Sequence, residues 1–183
     1  MAAPNEALVF RCGGALYLNP TSITPTAYGT ATALGICHEV RLSPVTRQFN
    51  IQAEEYGQET VEAVYMGRDW VLTFLVRGWD NDTIGMMFPN TAAGGSTTNK
   101  VISEPGGLSP GSLLSGKAVK LLFAPFNTSH KGFIVYRAIP NIHASRPLEF
   151  NTTKDLSFLA TFRCLRDSSG RALKIGQVAD LAV

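Results

Sequence analysis

The stretch TRQFNIQA, residues 46–53, is the most informative part of the sequence about fold class, because its side chains alternate strictly in character. The odd-numbered positions are mostly apolar, with Phe49 and Ile51 at their centre. The even-numbered positions, Thr46, Gln48, Asn50 and Gln52, are polar and uncharged. A period of two with one polar face predicts an antiparallel β-strand with Phe49 and Ile51 buried.

Similar short apolar runs, separated by Gly, Pro, Asn and Thr, occur on both sides of this stretch. This rhythm is typical of a mostly β fold, a sandwich or barrel of two antiparallel sheets. Pro44 and the pair Gly67-Arg68 are interpreted as breaks between neighbouring strands. The predicted strands are 14–18, 37–43, 46–53, 59–66, 69–79, 118–124, 132–139, 155–165 and 171–175.

Two segments between the predicted strands differ from this rhythm. Residues 80–88, DNDTIGMMF, begin with capping residues and carry apolar residues at helical spacing, which predicts one short flanking helix. Residues 90–117 form a long loop rich in Gly, Ser, Thr and Pro, with a possible short strand at 100–102. A loop of this length is either functional or ordered by a partner, or it is a plain flexible insertion. We predict one domain over residues 1–183.

The composition is poor in charge for a soluble chain. Of the 183 residues, 45% are hydrophobic and only 16% are charged, against a usual charged share of about 25%. Such a deficit favours a chain that hides surface in an assembly. A compact β-domain with Ser-rich and Thr-rich loops is the alternative.

The net charge of +2 and the absence of any Lys/Arg run argue against a dedicated nucleic-acid-binding protein. The start MAAPNEALVF does not resemble a signal peptide, and no apolar stretch approaches the length of a membrane span. We therefore expect a chain that is made and folded in a cytoplasm, without membrane contact. Cys12, Cys37 and Cys164 lie in apolar stretches and are expected to be buried thiols.

No constellation of residues predicts catalysis, a cofactor or a metal. His38, His130 and His143 lack a second ligand at metal spacing, and no phosphate-binding or nucleophile motif occurs. We expect a protein that is not an enzyme. A β-sandwich carbohydrate-binding module or small hydrolase is a weaker alternative, because Trp70 and Trp79 both lie in the most apolar predicted strand.

One charge cluster stands out at the corner between two predicted strands. Glu54, Glu55, Glu59 and Glu62 fall within nine residues. The cluster is either a solvated hairpin tip or an acidic surface placed to repel a polyanion.

Two segments together resemble the tail tube proteins of long-tailed bacteriophages. In residues 35–76 the family's polar alternating strand, turn and long apolar strand are matched by Glu54, Tyr56-Gly57, Thr60-Val61-Glu62, Val64 and Gly67-Arg68. In residues 138–176 the family's DSxGRxxxIG ending is matched by Asp167, Ser168, Gly170, Arg171, Ile175 and Gly176. The two segments cover under half of the chain.

This resemblance implies hexameric rings whose inner strands close a continuous β-barrel around a channel. The rings would stack into a tube that conducts DNA from capsid to host, and the same fold resembles the tube subunit of type VI secretion. The implied partners are further copies of the chain, a tail terminator, a tape measure protein and distal tail or baseplate proteins. DNA would pass through without specific binding. The implied location is the tail of the virion, assembled in the host cytoplasm. A tail terminator or head–tail joining ring protein is the alternative within the same setting.

Within such a ring, the strands at 37–53 and 59–76 are expected to supply the inner barrel. Their polar and uncharged face predicts that Gln48, Asn50 and Gln52 line the channel. Glu54, Glu55, Glu59 and Glu62 are expected near the inner or stacking rim, where they would keep DNA from binding.

Overall fold

The computed structural model describes residues 13–24, 27–34, 37–53, 59–77, 88, 92–95, 100–103, 108–127, 129–141 and 158–181. Two single-turn 3-10 helices occur there, at Leu114–Lys117 and Val178–Asp180. The strands are β1 (Gly14–Leu18), β2 (Thr32–Ala33), β3 (Cys37–Ala53), β4 (Glu59–Val76), β5 (Ala92–Gly95), β6 (Lys100–Ser103), β7 (Val119–Pro125), β8 (Lys131–Pro140), β9 (Phe158–Leu165) and β10 (Leu173–Gln177).

The strands join mainly into one antiparallel sheet. Eight of them pair in the order β2-β1-β7-β8-β9-β4-β3, with β10 added at β8, and β5 and β6 form a separate hairpin. One edge of β8 pairs with β7, while its other edge pairs with β10 over 131–135 and with β9 over 137–140. The predicted mostly β, antiparallel fold is confirmed. The main strands form one continuous sheet that divides at β8, rather than two separate sheets.

This sheet folds over a shared apolar core. Leu16 of β1 and Leu121 of β7 belong to the same buried cluster as Phe74 of β4 and Phe162 of β9, although β8 lies between the two pairs of strands. The rings of Phe74 and Phe162 stack with centroids 5.8 Å apart. Each fully buried side chain of this size contributes about 1.5–3 kcal/mol before conformational entropy is subtracted. The two halves of the sheet therefore face each other as in a sandwich.

The predicted break at Pro44 is wrong. Residues 37–43 and 46–53 belong to one strand of 17 residues, β3, in which Pro44 lies opposite Trp70 of β4. Because β3 is the last strand of the sheet, one of its edges bonds to no strand in the described part of the chain. An edge strand tolerates proline, since the missing N–H can face away from the ladder.

The predicted turn at Gly67-Arg68 is also wrong. Residues 59–66 and 69–76 form the single strand β4, and the register shifts between the pairs Arg47–Gly67 and Gln48–Tyr65. The extra residue is Met66, and Gly67 adopts a φ of +116°. A glycine in this region of φ accommodates a β-bulge, so the strand bends without reversing.

The remaining strand predictions agree closely with the structure. The predicted strand at 14–18 coincides with β1, and the possible strand at 100–102 falls within β6. On β9, Ala160, Phe162 and Cys164 share one buried face as predicted. The side chains at 156 and 158 lie outside the described residues, as does the predicted helix at 80–88 apart from Phe88.

The motif near the C-terminus builds a turn. The Asp167 carboxylate accepts hydrogen bonds from the backbone N–H groups of Ser169 and Arg171, and from the Arg171 side chain. Gly170 has a φ of +77°, which favours glycine. The guanidinium of Arg171 lies 4.2 Å from the ring centroid of Tyr136. These residues therefore fix the turn that returns the chain along β8.

The cysteines behave as sequestered thiols where the structure describes them. Cys164 is buried, and Cys37 is half-buried with its Sγ donating to the carbonyl oxygen of Leu34. Desolvation raises the pKa of Cys164 to about 12 and the pKa of Cys37 to about 11. Cys12 lies outside the described residues.

Candidate assembly surface

The strands β3 and β4 extend beyond the rest of the sheet. They pair with each other from Cys37–Val76 to Ala53–Glu59, whereas β9 pairs with β4 only over Trp70–Val76. We call residues 45–53 and 59–69 the β3–β4 ribbon. At about 3.3 Å per residue, its nine residues of β3 span about 30 Å. Within the described part of the chain, no third strand pairs with this ribbon.

The ribbon exposes apolar side chains. Phe49 is 61% exposed, Tyr65 64% and Met66 63%. The structure describes nine exposed large hydrophobic residues, and six of them lie on the ribbon: Val45, Phe49, Ile51, Val64, Tyr65 and Met66. Four of them, Val45, Phe49, Ile51 and Val64, share one face by the strand register, and an exposed patch of this kind marks a protein–protein contact far more often than isolated surface hydrophobics do.

The prediction that Phe49 and Ile51 are buried is therefore wrong for the single chain. Alternation shows which side chains share a face, but it does not show whether another layer covers that face. The core ends near Trp70, and the ribbon continues past it. Within the described part of the chain, no second layer covers these side chains.

The strand register defines two faces of the ribbon. Phe49 lies opposite Val64, and Ile51 lies opposite Glu62, so these four side chains share what we call the Phe49 face. Gln48 lies opposite Tyr65 and Asn50 opposite Ala63 on the reverse side, which we call the Gln48 face. It also carries Gln52 opposite Thr60. The structure thus brings Gln48, Asn50 and Gln52 together, and all three are exposed.

Each ribbon face continues a different face of the sheet at its base. Along β3 the Gln48 face continues the side of Leu42, which packs against the core. The Phe49 face continues through Arg47 and Val45 onto the side of the sheet that points away from the core. We call the side that points away from the core the core-distal side. Its side chains are mainly apolar on the ribbon and both apolar and charged at the base.

The predicted acidic rim is partly described. Glu62 is exposed on the Phe49 face, and its Oε1 accepts a hydrogen bond from the N–H of Ala63. Glu59 begins β4 opposite Ala53. Glu54 and Glu55 lie outside the described residues.

At the base of the ribbon, an ion triad joins three neighbouring strands. Asp69 of β4 accepts hydrogen bonds at Oδ2 from Arg47 of β3, at 2.5 Å, and from Arg163 of β9, at 2.7 Å. The hydrogen bond from Arg163, with the charges of both guanidinium groups, lowers the pKa of Asp69. Sequence reasoning missed this triad, because only the strand register brings positions 47, 69 and 163 together.

A hollow of about 450 Å³ lies beside the triad on the core-distal side. Its apolar wall comes from Val45, Val71, Leu114 and Ile139. Arg47, Asp69 and Arg163 line it together with Pro140 and Asn141. We call it the base hollow. It combines apolar surface with two partly exposed guanidinium groups, which suits a partner that is apolar and acidic.

The free edge of β3 is a second assembly feature. Exposed strand edges can pair with another chain, and proteins often protect them with bulges, charges or proline. The first part of β3 has such protection, in Pro44, in the positive φ of Glu39, and in an exposed ion pair between Glu39 and Arg41 at 3.1 Å. Residues 45–53 contain a single charged side chain, Arg47. This part of the edge is the better template for strand addition.

The described residues contain no group of three or more His, Cys, Asp or Glu side chains that could hold a metal ion. Over the same residues, no helix has both the length and the apolar character that crossing a membrane requires.

No protein-family profile and no curated protein matches the chain. Among solved structures, it is similar to a chain of the cryo-EM structure of the anti-feeding prophage (AFP) baseplate, with a TM-score of 0.47 and 10% identity over 97% of this chain and 99% of that one. It is similar to a chain of the PVC sheath/tube terminator of an extracellular contractile injection system, with a TM-score of 0.40 and 8% identity over 96% and 99%. It is also similar to a chain of the AFP tube terminating cap, with a TM-score of 0.40 and 8% identity over 97% and 99%. Likenesses of this size do not establish a shared function.

Proposed function

We propose that this chain is a structural subunit of a phage tail tube, in which hexameric rings stack into a hollow conduit for DNA. The observation that carries the proposal is the β3–β4 ribbon, a two-stranded extension whose apolar side chains are exposed in the single chain. Tube subunits need surface that is buried only on assembly. In this proposal the chain has no catalytic role.

The two segments that resemble tail tube proteins come together in the fold. The resembling segments, 35–76 and 138–176, are more than sixty residues apart in sequence. In the structure, the first contains β3 and β4, and the second contains the end of β8 with β9 and β10. These strands are hydrogen-bonded neighbours in the order β8-β9-β4-β3. The resemblance therefore falls on one contiguous four-stranded region, together with β10.

The energetics favour assembly of this region. Burying large apolar side chains contributes about 1.5–3 kcal/mol each when burial is complete, and the Phe49 face of the ribbon presents four that are 42% to 61% exposed, Val45, Phe49, Ile51 and Val64. Subunit interfaces of obligate assemblies are apolar in this way. The low charged fraction of the chain, 16%, agrees with a surface that is largely covered by neighbours.

The free edge of β3 supplies a route to ring closure. A neighbouring copy that adds a strand at residues 45–53 would extend β8-β9-β4-β3 into a barrel across subunits, and closure of that barrel removes the exposed edge. Gln48, Asn50 and Gln52 stay our predicted channel residues. Because their face continues the core side of the sheet, this placement requires the ribbon to twist or tilt relative to its base. Bulges increase local twist, and β4 has register shifts at Met66 and again between Ile51–Glu62 and Gln52–Thr60.

The direct test is the assembly state of the purified chain. Size-exclusion chromatography with light scattering, followed by negative-stain microscopy, should show rings or hollow tubes at high protein concentration. Single rings that never stack would favour the tail terminator or head–tail joining role. A chain that stays monomeric at every concentration, also when seeded with preformed tail complexes, would overturn the proposal.

A further inference from the structure

The Phe49 face carries opposite charges at its two ends. Toward the outer end lies Glu62, opposite Ile51, and at the base lies Arg47, four residues earlier on β3. Phe49 and Val64 occupy the middle. At about 3.3 Å per residue, about 13 Å separates the acidic and basic positions. The strand register fixes this separation, so Glu62 and Arg47 of one chain do not pair with each other.

The base hollow is complementary to the outer part of this face. Its wall of Val45, Val71, Leu114 and Ile139 is apolar, as are Phe49 and Ile51. The side chains of Arg47 and Arg163 are 59% and 45% exposed. Each guanidinium has five N–H donors, and one nitrogen of each bonds to Asp69. Two arginines around one carboxylate leave a net positive charge and further donors, so a second carboxylate can bind there.

We propose that the base hollow of one copy receives the outer Phe49 face of a second copy, with Phe49 and Ile51 on the apolar wall and Glu62 at Arg47 and Arg163. This inference rests on the proposed function and names the partner of the ribbon. The contact joins two different patches, and in a tube subunit it is made in one direction, so that its repetition produces a ring or an open helical array. Two copies that each filled the other's hollow would instead form a closed two-fold pair.

The apolar wall of the hollow favours a protein surface over nucleic acid. The two guanidinium groups could bind a phosphate as well as a carboxylate, so the wall decides between the two. The apolar wall offers nothing to a phosphate or a sugar. An apolar and acidic protein surface satisfies both parts of the hollow.

Disulfide cross-linking tests the contact directly. In a Cys12→Ser background, Glu62→Cys and Asn141→Cys place one thiol on the outer ribbon and one at the hollow. The native Cys37 and Cys164 should stay unreactive, because burial raises their pKa to about 11 and about 12. Under mild oxidation each single variant should remain uncross-linked, and their mixture should form covalent dimers.

The double variant, Glu62→Cys with Asn141→Cys, should form a covalent ladder that extends beyond dimers. A ladder is the mark of a heterologous contact, whereas a double variant that stopped at covalent dimers would show a reciprocal two-fold pair and overturn the proposal. Self-cross-linking of Glu62→Cys alone would show a two-fold contact and overturn the proposal. Assembled protein that yields no mixed cross-link would overturn it as well.

A charge exchange gives a second readout. Glu62→Lys should raise the concentration needed for assembly about tenfold or more. Arg47→Gln with Arg163→Gln should do the same, since it leaves Asp69 unneutralised in the hollow. The two sets combined should restore assembly, because Lys at position 62 then meets Asp69. Arg41→Glu, which disrupts an exposed ion pair away from the hollow, is the matched control and should assemble normally.

The outcomes separate this inference from the proposed function. A wild-type chain that never assembles overturns both. A wild-type chain that assembles and is indifferent to both charge sets overturns the inference alone. Sensitivity to the arginine changes without sensitivity to Glu62→Lys would mean that another acidic surface fills the hollow, which also overturns it.

Discussion

The two ends of strand β4 make an informative comparison. At the base, Leu72, Phe74 and Val76 have no solvent exposure, whereas on the ribbon Val64 is 42% exposed and Tyr65 64%. Both ends pair with β3 along their length. The difference is that β9 and the opposite half of the sheet cover the base, and neither reaches the ribbon. The same strand thus belongs to a folded core at one end and to an uncovered surface at the other.

The core end should dominate the stability of the single chain. Phe74→Ala removes a fully buried ring that stacks on Phe162. We expect a loss of about 3–5 kcal/mol in the free energy of unfolding, from lost transfer energy and the cavity left behind. Urea denaturation under conditions that keep the chain monomeric measures it. A loss below about 1 kcal/mol would mean that the site collapses to fill the cavity.

The ribbon end should show the opposite behaviour. Phe49→Lys should leave the monomer within about 0.5 kcal/mol of wild-type stability, because the side chain is 61% exposed and lacks a covering layer. It should nevertheless abolish rings and tubes in light scattering and microscopy. Gln48→Lys, at the neighbouring exposed position on the opposite face, is the control and should assemble normally. A Phe49→Lys chain that fails to fold would show that the ribbon is part of the monomer core.

The channel lining is tested by adding charge to each side of β3. Gln48→Lys with Gln52→Lys should leave folding and tube formation intact, and the tubes should then bind DNA in a salt-sensitive way, because new cations release counterions from the duplex. Filter binding at several salt concentrations measures this. If tubes of Ser43→Lys bind DNA and those of the Gln48 and Gln52 variant do not, the core-distal side lines the channel.

The ion triad between the two regions should have the smallest effect. The folded-state pKa of Asp69 is lowered, so its stabilisation is fully present above the unfolded pKa of about 3.9 and is lost as the pH falls through the folded value. Asp69→Asn should therefore cost less than about 1 kcal/mol at neutral pH, as partly exposed ion pairs do. The difference from wild type should shrink below about pH 4. Urea denaturation at pH 7 and pH 3 tests this, and a constant difference would contradict it.

The sequence predicted the folded half better than the ribbon. Alternation identified one buried side of β9 correctly through Ala160 and Phe162, because the opposite half of the sheet covers that side. The same alternation around Phe49 predicted correctly which side chains share a face, but it predicted wrongly that this face is buried. Side-chain alternation shows which residues of a strand share a face. Whether that face is buried depends on layers contributed by distant parts of the chain.

Two predicted strand boundaries, at Pro44 and Gly67, were wrong for a related reason. Pro44 and Gly67 usually end strands, but here one occupies a free edge and the other a bulge. The residues next to Pro44 and Gly67 in the sequence reveal neither the free edge nor the bulge, because both depend on how the strands pair. The Arg47–Asp69–Arg163 triad was out of reach of sequence reasoning too, because 94 residues separate Asp69 from Arg163.

The pairing of β8 with strands on both of its edges also affects how fast its backbone amides exchange with solvent. Residues 133–135 are paired with β7 on one edge and β10 on the other, and Ile134 and Val135 are fully buried. Their amides can exchange with deuterium only when several strands separate at once, whereas the ribbon amides need only a local opening of two strands. Amide exchange at the middle of β8 should therefore be slow, and exchange on the ribbon should be much faster. Assembly should slow the ribbon amides while leaving those of β8 almost unchanged.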